Sequence, residues 1–200
     1  PWFSTQLVNG NSLIGARRQV YSQSALEYGN WYDKAPRRIM PGEERTKKGQ
    51  HEHTKEIYHF LLGDPGMANY SDKVIKSLEL KNIKKIKAWN KDFTSKFDED
   101  ELKTVLRLSE SIDKLWKLTA DERRKIEEAT YEPLSVYGHE ESGDGSHKSI
   151  REKDEIYKKL FKSEKAQNAG PYARLKAAMD YWCALWFWPI DKADLLPSRQ

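Results

Sequence analysis

The sequence predicts a mainly α fold with one short strand near the N-terminus. Three observations lead there. Residues 71–190 carry apolar side chains at three- and four-residue spacing in run after run, the period of an amphipathic helix. Most of these runs open on a residue suited to cap a helix. The stretch before them has no sustained period and is broken by glycine and proline.

The elements follow in order. Thr5 to Ile14 reads as a short strand, with Gln6, Leu7 and Val8 extended, closed by the turn Asn9-Gly10-Asn11-Ser12. Residues 17–50 hold Gly29, Pro36, Pro41, Gly42 and Gly49, so loop is expected, with one helical turn near Ser24–Tyr28. Gly63-Asp64-Pro65-Gly66 is a turn. Ser71-Asp72 caps a helix in which Val74, Ile75 and Leu78 follow at helical spacing, and Ile83, Ile86 and Trp89 or Phe93 continue in a second short helix. Asp98-Glu99-Asp100-Glu101 fits a capping box, followed by the stripe Leu102, Val105, Leu106, Ile112, Leu115 and Trp116. Thr119-Ala120-Asp121-Glu122 reads as a second box opening a shorter, polar helix. Tyr137–His147 holds three glycines among polar residues and reads as a flexible loop. Ser149-Ile150-Arg151-Glu152 opens a helix with Ile156, Leu160 and Phe161 inward. Gly170-Pro171 starts the last one, whose core face is Leu175, Ala178, Met179, Trp182, Leu185 and Trp186, until Pro189 stops it. The expected organisation is 1–16 strand and loop, 17–70 loop-rich connector, 71–190 helical domain and 191–200 linker.

Composition narrows the class. Charged residues make up 33% of the 200 and apolar ones 38%, yet 7 Trp, 10 Tyr and 6 Phe supply material for a core. Disordered chains are poor in such residues. The longest apolar run, Tyr181–Ile190, is about half of the ~20 residues a membrane span needs. A single Cys183 excludes an internal disulfide and a four-cysteine zinc site, and its apolar neighbours point to a small buried side chain. A reducing cytoplasm is the simplest compartment. The start at Pro1 shows no signal peptide. Opening in mid-element, the chain reads as a piece of a longer polypeptide. Net charge is +4, which permits nucleic-acid binding without arguing for it.

Most catalytic constellations are absent. His51, His53 and His59 lie close together, but spacings of two and six do not stack on one helix face, so a polar loop is the better reading than a metal-dependent hydrolase. Cys183 lacks the electropositive, exposed setting of a reactive thiolate. There is no Gly-x-Ser-x-Gly elbow and no P-loop. Glu127-Glu128 and Glu140-Glu141 read as solvated pairs. The basic clusters carry more. Lys81, Lys84, Lys85, Lys87 and Lys91 surround Ile83, Ile86 and Trp89, a helix with a cationic outer face that can run along phosphates. The plain alternative is a solvated lysine-rich surface. Arg37, Arg38, Arg45, Lys47 and Lys48 form a second cluster, read as loop. Trp182 and Trp186, one turn apart, read as core rather than as a base-stacking platform, with Trp188 free to dock on another part of the protein.

Three stretches together resemble a known family. They are Asn9-Gly10-Asn11-Ser12-Leu13-Ile14-Gly15, Phe60-Leu61-Leu62-Gly63-Asp64-Pro65-Gly66-Met67, and Met179-Asp180-Tyr181-Trp182-Cys183-Ala184-Leu185-Trp186-Phe187-Trp188-Pro189. In this order they resemble large S-adenosyl-L-methionine-dependent DNA adenine-N6 methyltransferases of the type IIG restriction–modification and phage-defence kind. The resemblance covers nearly the whole chain. It implies a helical insertion lying between a Gly-Asn-Ser-Leu loop and a downstream Asn-Pro-Pro-Tyr or Asn-Pro-Pro-Trp motif. Residues 1–16 would then be the edge of a Rossmann-like methyltransferase domain, and 191–200 the linker back to it.

The resemblance also implies roles. Gly10 and Asn11 would lie on the cofactor-side loop, Asn11 pairing with the adenine edge of S-adenosyl-L-methionine and Gly10 allowing close backbone approach. The parent enzyme would flip an adenine out of double-stranded DNA. The Asn-Pro-Pro motif and the glycine loop that grips the cofactor are missing here, so the segment would not be catalytic alone. The expected function is to support DNA binding, through Lys81, Lys84, Lys85, Lys87 and Lys91, and to brace the rest of the parent chain. The alternative is a helical protein–protein interaction module without DNA contact, docking through Trp186–Ile190.

Overall fold

The computed structural model describes residues 15–40, 42–45, 55–131, 148–163 and 168–199. They are mainly helical, with one small sheet. The elements are β1 (Gln19–Ser22), α1 (Gln23–Tyr28), β2 (Arg37–Arg38), β3 (Glu56–Tyr58), α2 (Lys73–Leu78), α3 (Leu80–Phe93), α4 (Glu99–Thr130), α5 (Ile150–Phe161) and α6 (Pro171–Ala184). Short 3-10 turns occupy Trp31–Asp33, His59–Leu61, Leu185–Phe187 and Ile190–Leu195. The expected strand Thr5–Ile14, the loop Tyr137–His147 and the Leu160 and Phe161 side chains lie outside the described residues. Membership of a Rossmann-like fold rests on that strand. No helix among the described residues is long and apolar enough to cross a membrane.

The chain divides into two compact units, Ser12–Asp113 with Ala177–Gln200, and Pro1–Asn11 with Lys114–Lys176. In the first, three antiparallel strands stand in the order β2-β1-β3, with Val20 opposite both Arg37 and Tyr58. The sequence reading missed this sheet. Its strands are two to four residues long, too short to show a two-residue alternation. Long-range pairing, not local pattern, defines them. The helical turn near Ser24–Tyr28 is α1, capped by the Ser22 side chain on the Ala25 amide. It ends on Gly29 at φ 74°, a left-handed position where a β-carbon would also meet Lys96.

The core of this unit joins Leu26, Trp31, Ile57, Leu62, Phe97, Leu102 and Val105. The sheet is tied to the first half of α4 by polar groups. Buried Ser109 accepts from the Tyr58 amide at 3.3 Å and donates to the Val105 carbonyl. The Tyr58 hydroxyl donates to Asp113 at 2.8 Å. Arg45, buried, donates to the other Asp113 oxygen at 2.8 Å and to the Glu56 carbonyl. Burial and the Asp113 carboxylate together push the Tyr58 phenol far above its ordinary range.

Several helix boundaries depart from expectation. Asp98 does cap α4, accepting from the Asp100 and Glu101 amides while Glu101 returns to the Asp98 amide. Thr119 opens nothing, however. It lies buried inside one continuous helix of 32 residues. No glycine or proline interrupts residues 99–130, so the cap-like Thr-Ala-Asp-Glu has no break to exploit. In α2 the Asp72 cap is present, and Val74, Ile75 and Leu78 are exposed. A six-residue helix shows no core face by itself.

The second unit contains the rest of α4, α5 and the start of α6. Ile126, Thr119 and Leu175 are buried there. Ser149 and Glu152 form the expected capping box of α5. Arg123 lies over the Tyr172 ring at 5.9 Å, and Lys148 donates to the Ala129 carbonyl near the end of α4.

His59 belongs to the first unit's interior. Its ring packs edge-on against Trp182 at 5.0 Å and Phe60 at 5.6 Å, and Nε2 accepts from the Arg17 amide at 2.9 Å. Burial lowers its pKa to about 4. The unfolded imidazole takes its proton near pH 6.5, so the folded state is penalised as pH falls from there toward 4. Stability is expected to be full above pH 6.5 and to lose roughly 2–3 kcal/mol from this ring by pH 4.5. Urea denaturation across pH 4.5–7.5 measures it, and His59→Gln is expected to flatten that part of the profile.

Candidate nucleic-acid interface

Helix α3 is held on two sides and open on a third. Ile83 and Ile86 are buried, and Asn90 continues their stripe. On one side the helix packs against the Ile190–Leu195 turn. Ala68, Ile86 and Ala193 form a small core there, covered by Tyr70, Trp89, Trp188 and Ile190. The Trp89 indole donates to the Pro197 carbonyl at 2.7 Å and stacks on Phe93. Residues 191–197, expected to be a plain linker, are therefore part of the packing around α3.

On the other side lies the irregular segment from Leu62 to Tyr70. Its carbonyls have side-chain donors. The Trp182 indole donates to Leu62 at 2.9 Å and the Trp31 indole to Gly63 at 3.1 Å. The Asn90 amide donates to Asp64 at 3.2 Å and to Met67 at 3.0 Å. Asp64 also closes the expected turn, its carboxylate accepting from the Gly66 amide at 2.7 Å. Gly63 is required by proximity, since a β-carbon there would stand 2.8 Å from the Phe93 carbonyl oxygen. Sequence reasoning missed Asn90. The available signal was an amide on the apolar stripe of a helix, at a residue type that helices disfavour.

The third side carries the lysines. Lys84, Lys87 and Lys91 follow at i, i+3 and i+7, which places them on one face. All three are exposed, and none forms an ion pair with a described residue. Lys81 and Lys85 lie on the adjoining face. Lys85 is half-buried and bonded to Asp194 at 2.5 Å. Lys85, and more weakly Lys81, hold the Asp194 carboxyl below its usual range. The five predicted lysines thus split into a free stripe of three and a pair facing an acid. Between the stripe and the 65–70 turn runs a groove of about 180 Å³, with Lys87 and Lys91 on its wall.

The other candidates fall elsewhere. The arginine cluster is structural. Arg37 is clamped by Glu43 at 2.8 Å and Glu56 at 2.7 Å, which raise its pKa, and Arg45 is buried against Asp113. Arg37 and Arg38 form a strand, not a loop, because β1 pairs with them. Lys47, Lys48, His51, His53, Glu140, Glu141 and the cofactor-side residues Gly10 and Asn11 lie outside the described residues. Among the described residues no three His, Cys, Asp or Glu side chains converge as a metal site. Cys183 is half-buried. Trp182 is buried, and Trp186 packs against it at 5.5 Å between centroids. Trp188 docks within its own unit, donating to the Lys192 carbonyl and accepting from the Tyr70 hydroxyl. Pro189 turns the chain back onto α3, which is why this tryptophan does not remain free.

No family model, curated protein or solved structure matches the chain.

Asn90→Leu keeps the side-chain volume near constant and removes both donations. The Met67 carbonyl then loses its donor, and a cost of about 1–3 kcal/mol is expected. Equilibrium unfolding in urea checks this. Asn82→Ala, which removes only a surface bond to Glu79, is expected to stay within about 0.5 kcal/mol.

Proposed function

We propose that this chain is a helical, DNA-facing part of a DNA adenine-N6 methyltransferase of the restriction–modification or phage-defence kind. One observation carries the DNA contact: the exposed stripe Lys84–Lys87–Lys91, which no described carboxylate neutralises. Like charges at these spacings cost a helix about 0.2–0.5 kcal/mol per pair. A polyanion turns that cost into attraction. The stripe spans seven residues, about 10 Å of helix axis. That is the axial rise of about three steps along one DNA strand.

The methyltransferase identity rests on the resemblance of the three sequence stretches. In this reading S-adenosyl-L-methionine belongs to the parent protein, with Gly10 and Asn11 at its edge. Double-stranded DNA and the rest of the parent chain are the partners. The catalytic groups lie in the parent, and the part described here braces α3 and presents its lysines. An Asn-Pro-Pro-Tyr or Asn-Pro-Pro-Trp motif downstream in the same polypeptide, and a glycine-rich strand-to-helix turn upstream, are the expected flanks.

The interaction-module reading retains one supporting observation. Val74 and Leu78 of α2 and Leu80 of α3 are more than half exposed. Of its expected docking end, Trp188 and Ile190 pack against Ala68, Ile86 and Ala193, while Phe187 is 62% exposed.

Reversing Lys84, Lys87 and Lys91 together to Glu is expected to weaken duplex binding by about tenfold or more at low salt. The log–log salt slope should fall by about 0.9 for each phosphate the stripe neutralises. Fluorescence anisotropy on a short duplex at several salt concentrations measures both. Unchanged affinity, or no duplex binding by the unaltered chain, would favour the interaction module.

A further inference from the structure

We infer that the groove between the 65–70 turn and α3 seats one phosphodiester of the bound strand, held between Lys87 and Lys91. This rests on the DNA-facing reading and adds the place of contact. Four features of the groove point there. Its wall carries two cations and its lining has no carboxylate. Lys87 and Lys91 are one helical turn apart, with β-carbons about 5–6 Å from each other, so two ammonium groups can approach the two non-bridging oxygens of one phosphate. The floor is formed by Met67, Ile83 and Ile86, buried apolar side chains that bring no competing charge to the lysines. Asn69, exposed at the rim, supplies amide donors on the side opposite the lysines.

The backbone adds an independent sign. Ala68 has φ 47°, the only non-glycine residue in the left-handed region among those described. A residue with a β-carbon is strained there. The strain is maintained by its surroundings: Asn90 holds the Asp64 and Met67 carbonyls, and Ala68 itself is buried against Ile86 and Ala193. Strain kept in this way marks a position whose geometry is used. Here it turns Asn69 outward at the groove rim while the residues on either side, Ala68 and Tyr70, stay packed inward. The Tyr70 hydroxyl is already committed to the Trp188 carbonyl, so the polar contact is left to Asn69 and the two lysines.

The test uses the full chain, labelled with 15N and titrated with a 12-base-pair duplex. The Ala68 and Asn69 backbone amides and the Asn69 side-chain amide are expected to shift, and the amides around Lys81 to stay in place. In parallel, Lys87→Gln and Lys91→Gln combined are expected to lower the salt slope by about 0.9, the one phosphate the two lysines share, while Lys81→Gln leaves it unchanged. Lys87→Arg keeps the charge and is expected to keep the slope, which separates loss of contact from loss of fold. If the duplex binds through α3, so that the triple reversal weakens it, but the Ala68 and Asn69 amides stay silent and the combined Lys87→Gln and Lys91→Gln variant behaves like Lys81→Gln, the groove is not the seat and the DNA-facing reading survives. If the full chain binds no duplex, both fall.

Discussion

A buried stretch of irregular backbone must find partners for its carbonyls, and the segment Leu62–Met67 has no strand or helix to supply them. Side-chain donors supply most of the need: Trp182 to Leu62, Trp31 to Gly63 and Asn90 to Met67, while the Asp64 carbonyl takes both the Met67 amide and Asn90. An unpaired buried carbonyl costs about 1–3 kcal/mol, so these bonds are conditions of the fold rather than additions to it. They also come from three separate parts of the chain. Trp31 follows α1, Asn90 sits on α3 and Trp182 on α6. One turn therefore gathers the N-terminal core, the lysine helix and the final helix of this unit. Gly63 allows the turn to lie against the Phe93 backbone.

The same constraint sets what α3 can offer to a partner. Its inward stripe is used by Ile83, Ile86 and Asn90, and a second side by the chain returning through Trp188 to Pro197. Arg199 strengthens that return. It lies 4.0 Å from the Phe97 ring centre, donates to the Asp92, Ser95 and Lys96 carbonyls, and pairs with Glu101. Carbonyls at and just beyond the C-terminal end of α3 thereby accept from a guanidinium. With two sides covered and the end clasped, only the face of Lys84, Lys87 and Lys91 remains open.

Legibility in the sequence followed the range of the interactions. The Asp98 and Ser149 caps, the Gly63–Gly66 turn, the start at Pro171 and the inward faces of α3 and α6 depend on residues within a few positions of each other, and each was read correctly. The sheet depends on pairing between residue 20 and residues 37 and 58, and no local pattern reveals strands this short. Thr119 shows the opposite failure. A good local cap sequence is overruled because the surrounding residues favour continued helix and bury it. For the candidate site, the lysine helix was legible as a charged amphipathic segment. Its division into a free stripe and an acid-facing pair was not, since Asp194 is over a hundred residues away in sequence. Asn90 was missed because its role is to serve carbonyls that only the folded turn brings near.

The two basic clusters looked alike as sequence and differ in chemistry. Arginine presents a flat fork of donors that can bind several acceptors at fixed angles, and it tolerates burial when those acceptors are in place. Arg37, Arg45 and Arg199 are used in that way, each bridging carboxylates and carbonyls from distant parts of one unit. Lysine carries a compact, well-hydrated charge on a flexible stem. It gains little from such internal joints and keeps its charge at the surface. Of the two clusters, Arg37 and Arg45 hold parts of the unit together, and Lys84, Lys87 and Lys91 stay on an open helix face. A near-neutral total of +4 conceals this separation. For a polyanionic partner the relevant charge is the part that no internal carboxylate has claimed, and on α3 that part is the stripe beside the groove.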